Sequence, residues 1–227
     1  MTVQKIMLTS LIALSTVLSA IAQVEIGAKG SALYSTVKVA GIGADFLDKE
    51  MNQGYNVSVF TTLPITQNFS FQPEISYNQK GFQVGSGIDI KLFNVDLPLG
   101  VSAITEINYL QAPLLGRLDF ENEKGGAYFL AGPSIAYATD GKLRTKINSI
   151  IDINLTKTNI NLANEDYNRF EFAGVVGTGA YININNAKLF AEFKYHHGFS
   201  DLLDDPIVDI QLKNRAFGIG MGLQIAL

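Results

Sequence analysis

Apolar and polar residues alternate along eight stretches of this chain, and turn-forming residues separate the stretches. An alternation with a period of two predicts a β-strand that has one apolar face and one polar face. The predicted strands lie near 24–36, 53–63, 68–80, 105–119, 126–139, 168–183, 187–199 and 213–227. The chain is therefore predicted to be all-β.

The third stretch shows the alternation most clearly. One face carries Phe69, Phe71, Pro73, Ile75 and Tyr77, and the other carries Ser70, Gln72, Glu74, Ser76 and Asn78. The fourth and fifth stretches are less regular, because Tyr109-Leu110 breaks the pattern and Pro113 and Pro133 cannot donate a backbone hydrogen bond. We expect β-bulges at these positions.

The connections between the predicted strands alternate between long and short. The short ones are Pro64–Gln67, Glu121–Gly125 and Ile184–Asn186. Barrels of the bacterial outer membrane have short periplasmic turns and long extracellular loops. The predicted fold is an eight-stranded antiparallel up-and-down transmembrane β-barrel, with long extracellular loops and both termini in the periplasm.

Two of the long loops also contain alternating residues. Ile88, Ile90 and Leu92 follow the turn-like Gly85-Ser86-Gly87. Further on, an alternating segment spans 151–162 and surrounds Lys157-Thr158-Asn159. The pattern predicts a β-hairpin in each loop, and the alternative is a disordered loop.

Residues 1–22 have the features of a secretory signal peptide. Lys5 provides the positive charge, 6–17 is apolar, and Ala20-Ile21-Ala22 fits a cleavage site. The apolar run is too short for a membrane-spanning helix. We expect removal of this leader, which leaves residues 23–227 as one barrel domain in the outer membrane.

The composition narrows the range of functions. The chain has a formal net charge of −4, which becomes −5 without Lys5. This charge argues against nucleic acid or anionic lipid as a partner, because both require a basic surface. It contains no cysteine, so a disulfide scaffold, a thiolate metal site and a cysteine nucleophile are excluded.

The polar faces carry ionisable residues, which discriminate between two kinds of barrel. The residues predicted to face inward are Glu25, Lys29, Glu74, Arg117, Asp119, Glu171, Glu192, Lys194 and Arg215. A soluble lipocalin-like barrel needs an apolar interior, because unpaired buried charge is costly. A membrane barrel instead places the apolar faces against lipid and pairs the charges inside. Eight strands enclose only enough space for side chains, so we expect a plugged lumen; a narrow pore is an alternative.

Candidate catalytic and metal-binding residues are few. An alternative function is that of an outer-membrane acyl hydrolase, which would use His196 or His197 together with Ser200. Strand alternation, however, places these side chains far apart or on opposite faces. Asp201, Asp204 and Asp205 contain oxygen ligands suited to Ca²⁺ but match no established spacing. We predict no catalytic, cofactor or metal site. Gly177, Gly179 and the glycines of 218–222 are expected to make room for large side chains inside the barrel.

Five sequence blocks resemble the PorT-like outer-membrane β-barrel family of the Bacteroidota. They are Phe71-Gln72-Pro73-Glu74-Ile75-Ser76-Tyr77 with Lys80-Gly81, Tyr109-Leu110-Gln111-Ala112-Pro113-Leu114-Leu115, Ala131-Gly132-Pro133-Ser134 with Gly141-Lys142, Tyr195-His196-His197-Gly198, and Asn214-Arg215-Ala216-Phe217-Gly218-Ile219-Gly220. The resemblance implies an eight-stranded barrel in the outer membrane and a link to protein secretion or maturation. It implies no catalytic residues.

The expected function is structural or interactive rather than enzymatic. We expect a monomer that contacts outer-membrane lipids. Either its long outer loops bind a surface or protein partner, or the barrel accompanies a secretion assembly.

Overall fold

The computed structural model describes residues 24–41, 47–86, 90–92, 95–97, 101–147, 153–160, 162, 168–201 and 210–227. The strands in this part of the chain are β1 Glu25–Gly41, β2 Leu47–Pro64, β3 Phe69–Ser86, β4 Ile90–Leu92, β5 Val95–Leu97, β6 Val101–Asn122, β7 Gly125–Ile147, β8 Ile153–Ile160, β9 Phe170–Ile184, β10 Ala187–Gly198 and β11 Ile210–Ala226. Within these ranges, no helix has the length and apolar character needed to cross a membrane. The predicted signal peptide lies outside the described residues.

Eight of the described strands form a closed antiparallel barrel. The order around the barrel is β1-β2-β3-β6-β7-β9-β10-β11, and β11 pairs with β1 to complete the ring. The pairing of β1 with β11 extends from Glu25↔Ala226 to Gly41↔Ile210. The predicted all-β, up-and-down barrel is therefore confirmed.

The register is continuous over most of the barrel and shifts at a few points. The β6–β7 pairing shifts between Asn108 and Tyr109, where a bulge was predicted. The predicted bulges at the prolines are wrong, because Pro113 pairs with Ser134 and the same register continues to Gly116↔Ala131. A shift that the sequence did not indicate lies in β2 between Met51 and Asn56.

Three tight turns, together with Val24 and Leu227 at the two ends of the described chain, lie at one end of the barrel, which we call the turn end. The turns span 65–68, 123–124 and 185–186. Asn122 Oδ1 accepts hydrogen bonds from the backbone N–H groups of Lys124 and Gly125. Asn185 has a φ of 53°, a left-handed conformation that asparagine tolerates in a two-residue hairpin. The three predicted short connections are confirmed.

The connections at the opposite end, the loop end, span 42–46, 87–100, 148–169 and 199–209. The first is shorter than predicted, because β1 and β2 extend well beyond their predicted limits. Strands β4 and β5 pair as a small hairpin, as expected for that loop. The hairpin expected within 151–162 is wrong: Lys157-Thr158-Asn159 continues a single strand, β8, which pairs with the outer part of β7.

The wall of the barrel has apolar residues outside and polar residues inside. Val57 is 58% exposed, Ile75 60% and Phe129 57%, whereas Lys29 is 5% exposed and Arg117 2%. This distribution contradicts the soluble lipocalin-like alternative, whose apolar residues would face inward. It matches a barrel whose outer surface contacts lipid.

The apolar outer surface has a defined height. On β6 it runs from Leu110 to Phe120, which is about 34 Å along a strand and about 25 Å along the membrane normal at the usual tilt, as in other membrane barrels. Tyrosines face outward at its loop-end edge, namely Tyr34, Tyr55, Tyr77, Tyr137 and Tyr195. Beyond this edge most outward residues of β6 and β7 are polar, with Ile104 as an exception, and Glu106 pairs with Arg144 there.

A charge placed in the middle of the apolar band should destabilise the barrel. We expect Leu114→Arg to lower the free energy of unfolding by about 2–4 kcal/mol, because a charge near the bilayer midplane loses its hydration. Gln79→Arg, above the tyrosine edge, is the matched control and should change it by less than about 1 kcal/mol. Urea unfolding from phospholipid vesicles measures both values. Equal effects of the two variants would contradict the assignment of the band.

Candidate functional site

Two lysine and two glutamate side chains meet in the middle of the lumen, and we call them the central ion cluster. Lys29 Nζ lies 2.9 Å from Glu74 Oε2 and 2.6 Å from Glu192 Oε1. Lys194 Nζ lies 2.7 Å from Glu74 Oε2 and 3.3 Å from Glu192 Oε1. The four side chains come from β1, β3 and β10. Each of them points inward because successive side chains on a strand alternate between the two faces. Two positive and two negative charges make the cluster neutral.

An arginine lies between the central ion cluster and the turn end. Arg117 makes a bidentate contact with Asp119, in which Nη2 lies 2.8 Å from Oδ1 and Nε lies 3.0 Å from Oδ2. Its Nη1 donates to Gln72 and Gln224 at 3.2 Å, and its guanidinium carbon lies 3.9 Å from the centre of the Tyr128 ring. The guanidinium group of Arg117 therefore stacks on the Tyr128 ring with its face and forms hydrogen bonds with its edge, so the whole group is in contact with other side chains.

A third ion pair lies nearer the loop end. Lys80 Nζ lies 2.7 Å from Glu171 Oε1, and Asn214 Nδ2 donates to Glu171 Oε2 at 2.6 Å. Between this pair and the central ion cluster, Gln111 donates to Ser134 Oγ at 2.6 Å. Polar side chains therefore bond to each other along most of the described lumen.

Aromatic rings fill the space beside these ions, and glycines make room for them. Tyr128 Oη donates to Glu192 Oε2 at 3.0 Å. A Cβ added at Gly179 would lie 2.3 Å from the Tyr128 ring, and one at Gly222 would lie 2.5 Å from Phe190. These distances confirm that inward glycines accommodate large neighbours. Together, paired ions and rings produce a packed interior rather than an open channel.

Nine ionisable residues were predicted to face inward. Seven of them are buried in the lumen: Lys29, Glu74, Arg117, Asp119, Glu171, Glu192 and Lys194. Glu25 lies at the turn end and pairs with Lys188 at 2.8 Å. Arg215 was assigned wrongly. It alternates in phase with Phe217 and faces the outer surface, where Nη1 donates to the carbonyl oxygens of Gly198 and Asn214. The prediction also omitted Lys80, although alternation along β3 places it inside.

The two histidines lie on opposite sides of the wall. His196 is buried in the lumen, with Nδ1 3.4 Å from Gln111 Nε2. His197 faces outward between the rings of Tyr195 and Phe199. Ser200 Oγ accepts a hydrogen bond from the Phe172 backbone N–H at 2.8 Å, and no hydrogen bond in the described part of the chain joins it to either histidine. The geometry therefore lacks the base–nucleophile contact that a hydrolase needs.

The acidic cluster proposed as an alternative Ca²⁺ site is only partly described. Asp201 Oδ1 lies 3.9 Å from Lys213 Nζ, whereas Asp204 and Asp205 lie outside the described residues. Within the described ranges, no group of three or more histidine, aspartate or glutamate side chains is arranged to hold a metal ion.

Most of the chain matches a known protein family. The family described as "Outer membrane protein beta-barrel domain" matches residues 18–204. No curated protein matches the sequence at a significant level.

Solved structures with the same architecture include OprG, an outer membrane protein from Pseudomonas aeruginosa. It is 13% identical, with a TM-score of 0.52, over 91% of this chain and 97% of that chain. Neisserial surface protein A is 9% identical, with a TM-score of 0.44, over 90% of this chain and 97% of that chain. At these identities the OprG match supports the fold and nothing finer.

Removing one ion from the central ion cluster should destabilise the barrel more than removing two of opposite sign. Glu74→Gln and Lys29→Met each leave an unequal number of charges, and we expect each to lower the free energy of unfolding by about 3 kcal/mol. The double variant leaves Lys194 paired with Glu192, so its loss should be smaller than either single loss and far below their sum. Urea unfolding from vesicles measures the cycle.

Ser76→Ala, an inward substitution without a charge, is the control for that cycle. Strictly additive losses in the double variant would show that the four ions are not coupled.

Proposed function

Because this chain belongs to the outer membrane protein beta-barrel domain family, we propose that its closed barrel binds a partner protein through the strands and loops at the loop end. The chain is located in the outer membrane, and in such barrels the turn end faces the periplasm. The function that we propose is structural or interactive, as an attachment point at the cell surface or as an accessory to protein secretion or maturation. The observation that carries this proposal is the packed lumen.

The packed lumen favours a role outside the barrel over transport through it. The side chains of Lys29, Glu74 and Glu192 are only 1–4% exposed. Each of these ions has a partner of opposite charge, so the described part of the lumen has no unpaired ring of charge of the kind with which channels attract and pass an ion. An eight-stranded barrel has little further space.

The wall at the loop end supplies a surface for a partner. A strand crosses the membrane with about 9–11 residues, but β6 has 22 residues and β7 has 23. Strand β8 pairs with β7 beyond the apolar band and has no second partner strand among the described residues. A free strand edge is a standard place for a partner to add a strand.

The resemblance to the PorT-like family favours a secretion-linked partner within this proposal. We also propose that the protein is a monomer and has no catalytic site. The geometry of His196, His197 and Ser200 supports a non-enzymatic role.

Electrical recording tests whether the lumen is closed. We expect the purified, folded barrel to produce no discrete conductance steps in a planar bilayer, because paired side chains fill the lumen. Heat-modifiability on a gel verifies that the inserted protein is folded. Reproducible steps whose size changes in Glu74→Gln would contradict the closed barrel and support the narrow pore.

Crosslinking in cells tests the partner. Photoreactive amino acids placed at Thr158 and Asn159, which are exposed on β8, should yield a discrete protein adduct. The control position is Glu123 in the exposed turn at the periplasmic end, which should yield no such adduct. Two results together would contradict the proposal. The folded protein would form no adduct from β8, and a variant in which a short turn replaces residues 148–162 would show unchanged surface attachment and secretion.

A further inference from the structure

Four basic side chains form a group on the outer surface at the loop end, and we call this group the basic patch. It consists of Lys38 on β1, His197 on β10, and Lys213 and Arg215 on β11. Lys38 is directly opposite Lys213, and Arg215 is directly opposite His197. Opposite Cβ atoms lie about 5 Å apart and alternate residues on a strand about 7 Å apart. The four side chains therefore share an area about 10 Å across.

The basic patch faces outward and not into the lumen. On β11, Asn214 and Ala216 are buried inside the barrel, so the side chains of Lys213 and Arg215 point outward. On β1, Lys38 is exposed and alternates in phase with Tyr34. The patch is thus accessible from the membrane surface.

Among the described residues, the positive charge of the patch is only weakly compensated. Like charges placed opposite each other destabilise a strand pair, yet Lys38 and Lys213 occupy such positions. Asp201 Oδ1 lies 3.9 Å from Lys213 Nζ, a distance that gives little attraction at an exposed site. Arg215 donates to two neutral carbonyl oxygens, which fix the guanidinium group and leave its charge.

An aromatic surface continues directly from the patch into the apolar band. Tyr34 stacks on Phe217 with ring centres 5.2 Å apart, and Phe217 lies 6.2 Å from Phe193. Aromatic rings at the edge of a membrane barrel lie at the level of the lipid headgroups. The patch therefore lies at the level of the headgroup phosphates in the outer leaflet.

We propose that the basic patch binds the phosphate groups of a phosphorylated lipid in the outer leaflet, whose acyl chains lie along Phe193, Phe217 and the band below them. Charge complementarity identifies the headgroup as anionic, because phosphate oxygens accept strong hydrogen bonds from arginine and lysine. The continuity of the patch with the lipid-facing surface identifies the source as a lipid. The proposal depends on the membrane location and not on the proposed partner protein.

Lipid binding to the folded, full-length barrel tests the proposal. Native mass spectrometry from detergent micelles counts bound diphosphoryl lipid A, and the double variant K213Q/R215Q should bind it roughly tenfold more weakly. The control variant K124Q/K142Q removes the same charge, from the turn at 123–124 and from another part of the outer wall, and should bind as the wild type does. Heat-modifiability verifies the folding of both variants.

Two further probes separate the sources of the anion and need only the wild-type protein. Lipid A from which both phosphates have been removed should bind roughly tenfold more weakly than the diphosphoryl form. Inorganic phosphate should not displace the bound lipid. Equal binding of the two lipids, equal losses in the two double variants, or displacement by inorganic phosphate at the concentration of the lipid would overturn the proposal.

Discussion

The pairing of backbone hydrogen bonds without water is the constraint on which the rest of this structure depends. In hydrocarbon an unpaired N–H or C=O group costs several kcal/mol, so strands cross a membrane only in a closed ring. The pairing of β11 with β1 meets this requirement, since it leaves neither of these strands with a free edge. Once the ring is closed, alternate side chains must face lipid or the lumen, and the apolar exterior and ionic interior both follow.

A narrow lumen makes charge pairing a second requirement. Water has little space inside eight strands, so an ion there needs a protein partner. Lys29 and Lys194 share Glu74 and Glu192 as their partners, and Arg117 combines Asp119 with the Tyr128 ring. The same pairing that makes the interior stable leaves no free charge to attract a solute. On the outer wall, by contrast, Lys38, Lys213 and Arg215 lie together on neighbouring strands, although the chain as a whole carries a net negative charge.

The fold could be predicted from sequence almost completely, because period-two alternation is a direct signature of a strand. The assignment of inward residues was correct where alternation was applied strictly. Arg215 is in phase with Phe217, and Lys80 is in phase with Glu74, so the same rule would have placed both correctly. The β8 strand was missed because residues 151–162 were divided at Lys157-Thr158-Asn159, a segment without the glycine or proline typical of a tight turn. The basic patch could not be predicted, because it depends on the register between β1, β10 and β11.

The contacts of Lys29 have a consequence for the order of biogenesis. This residue is on the first strand, but it bonds to Glu192 on β10, which is encoded 163 positions later. Lys29 can meet Glu74 once the first three strands are together, but its contact with Glu192 forms only after β10 has joined the barrel. The full set of contacts among the four ions therefore belongs to the closed ring and not to its first half.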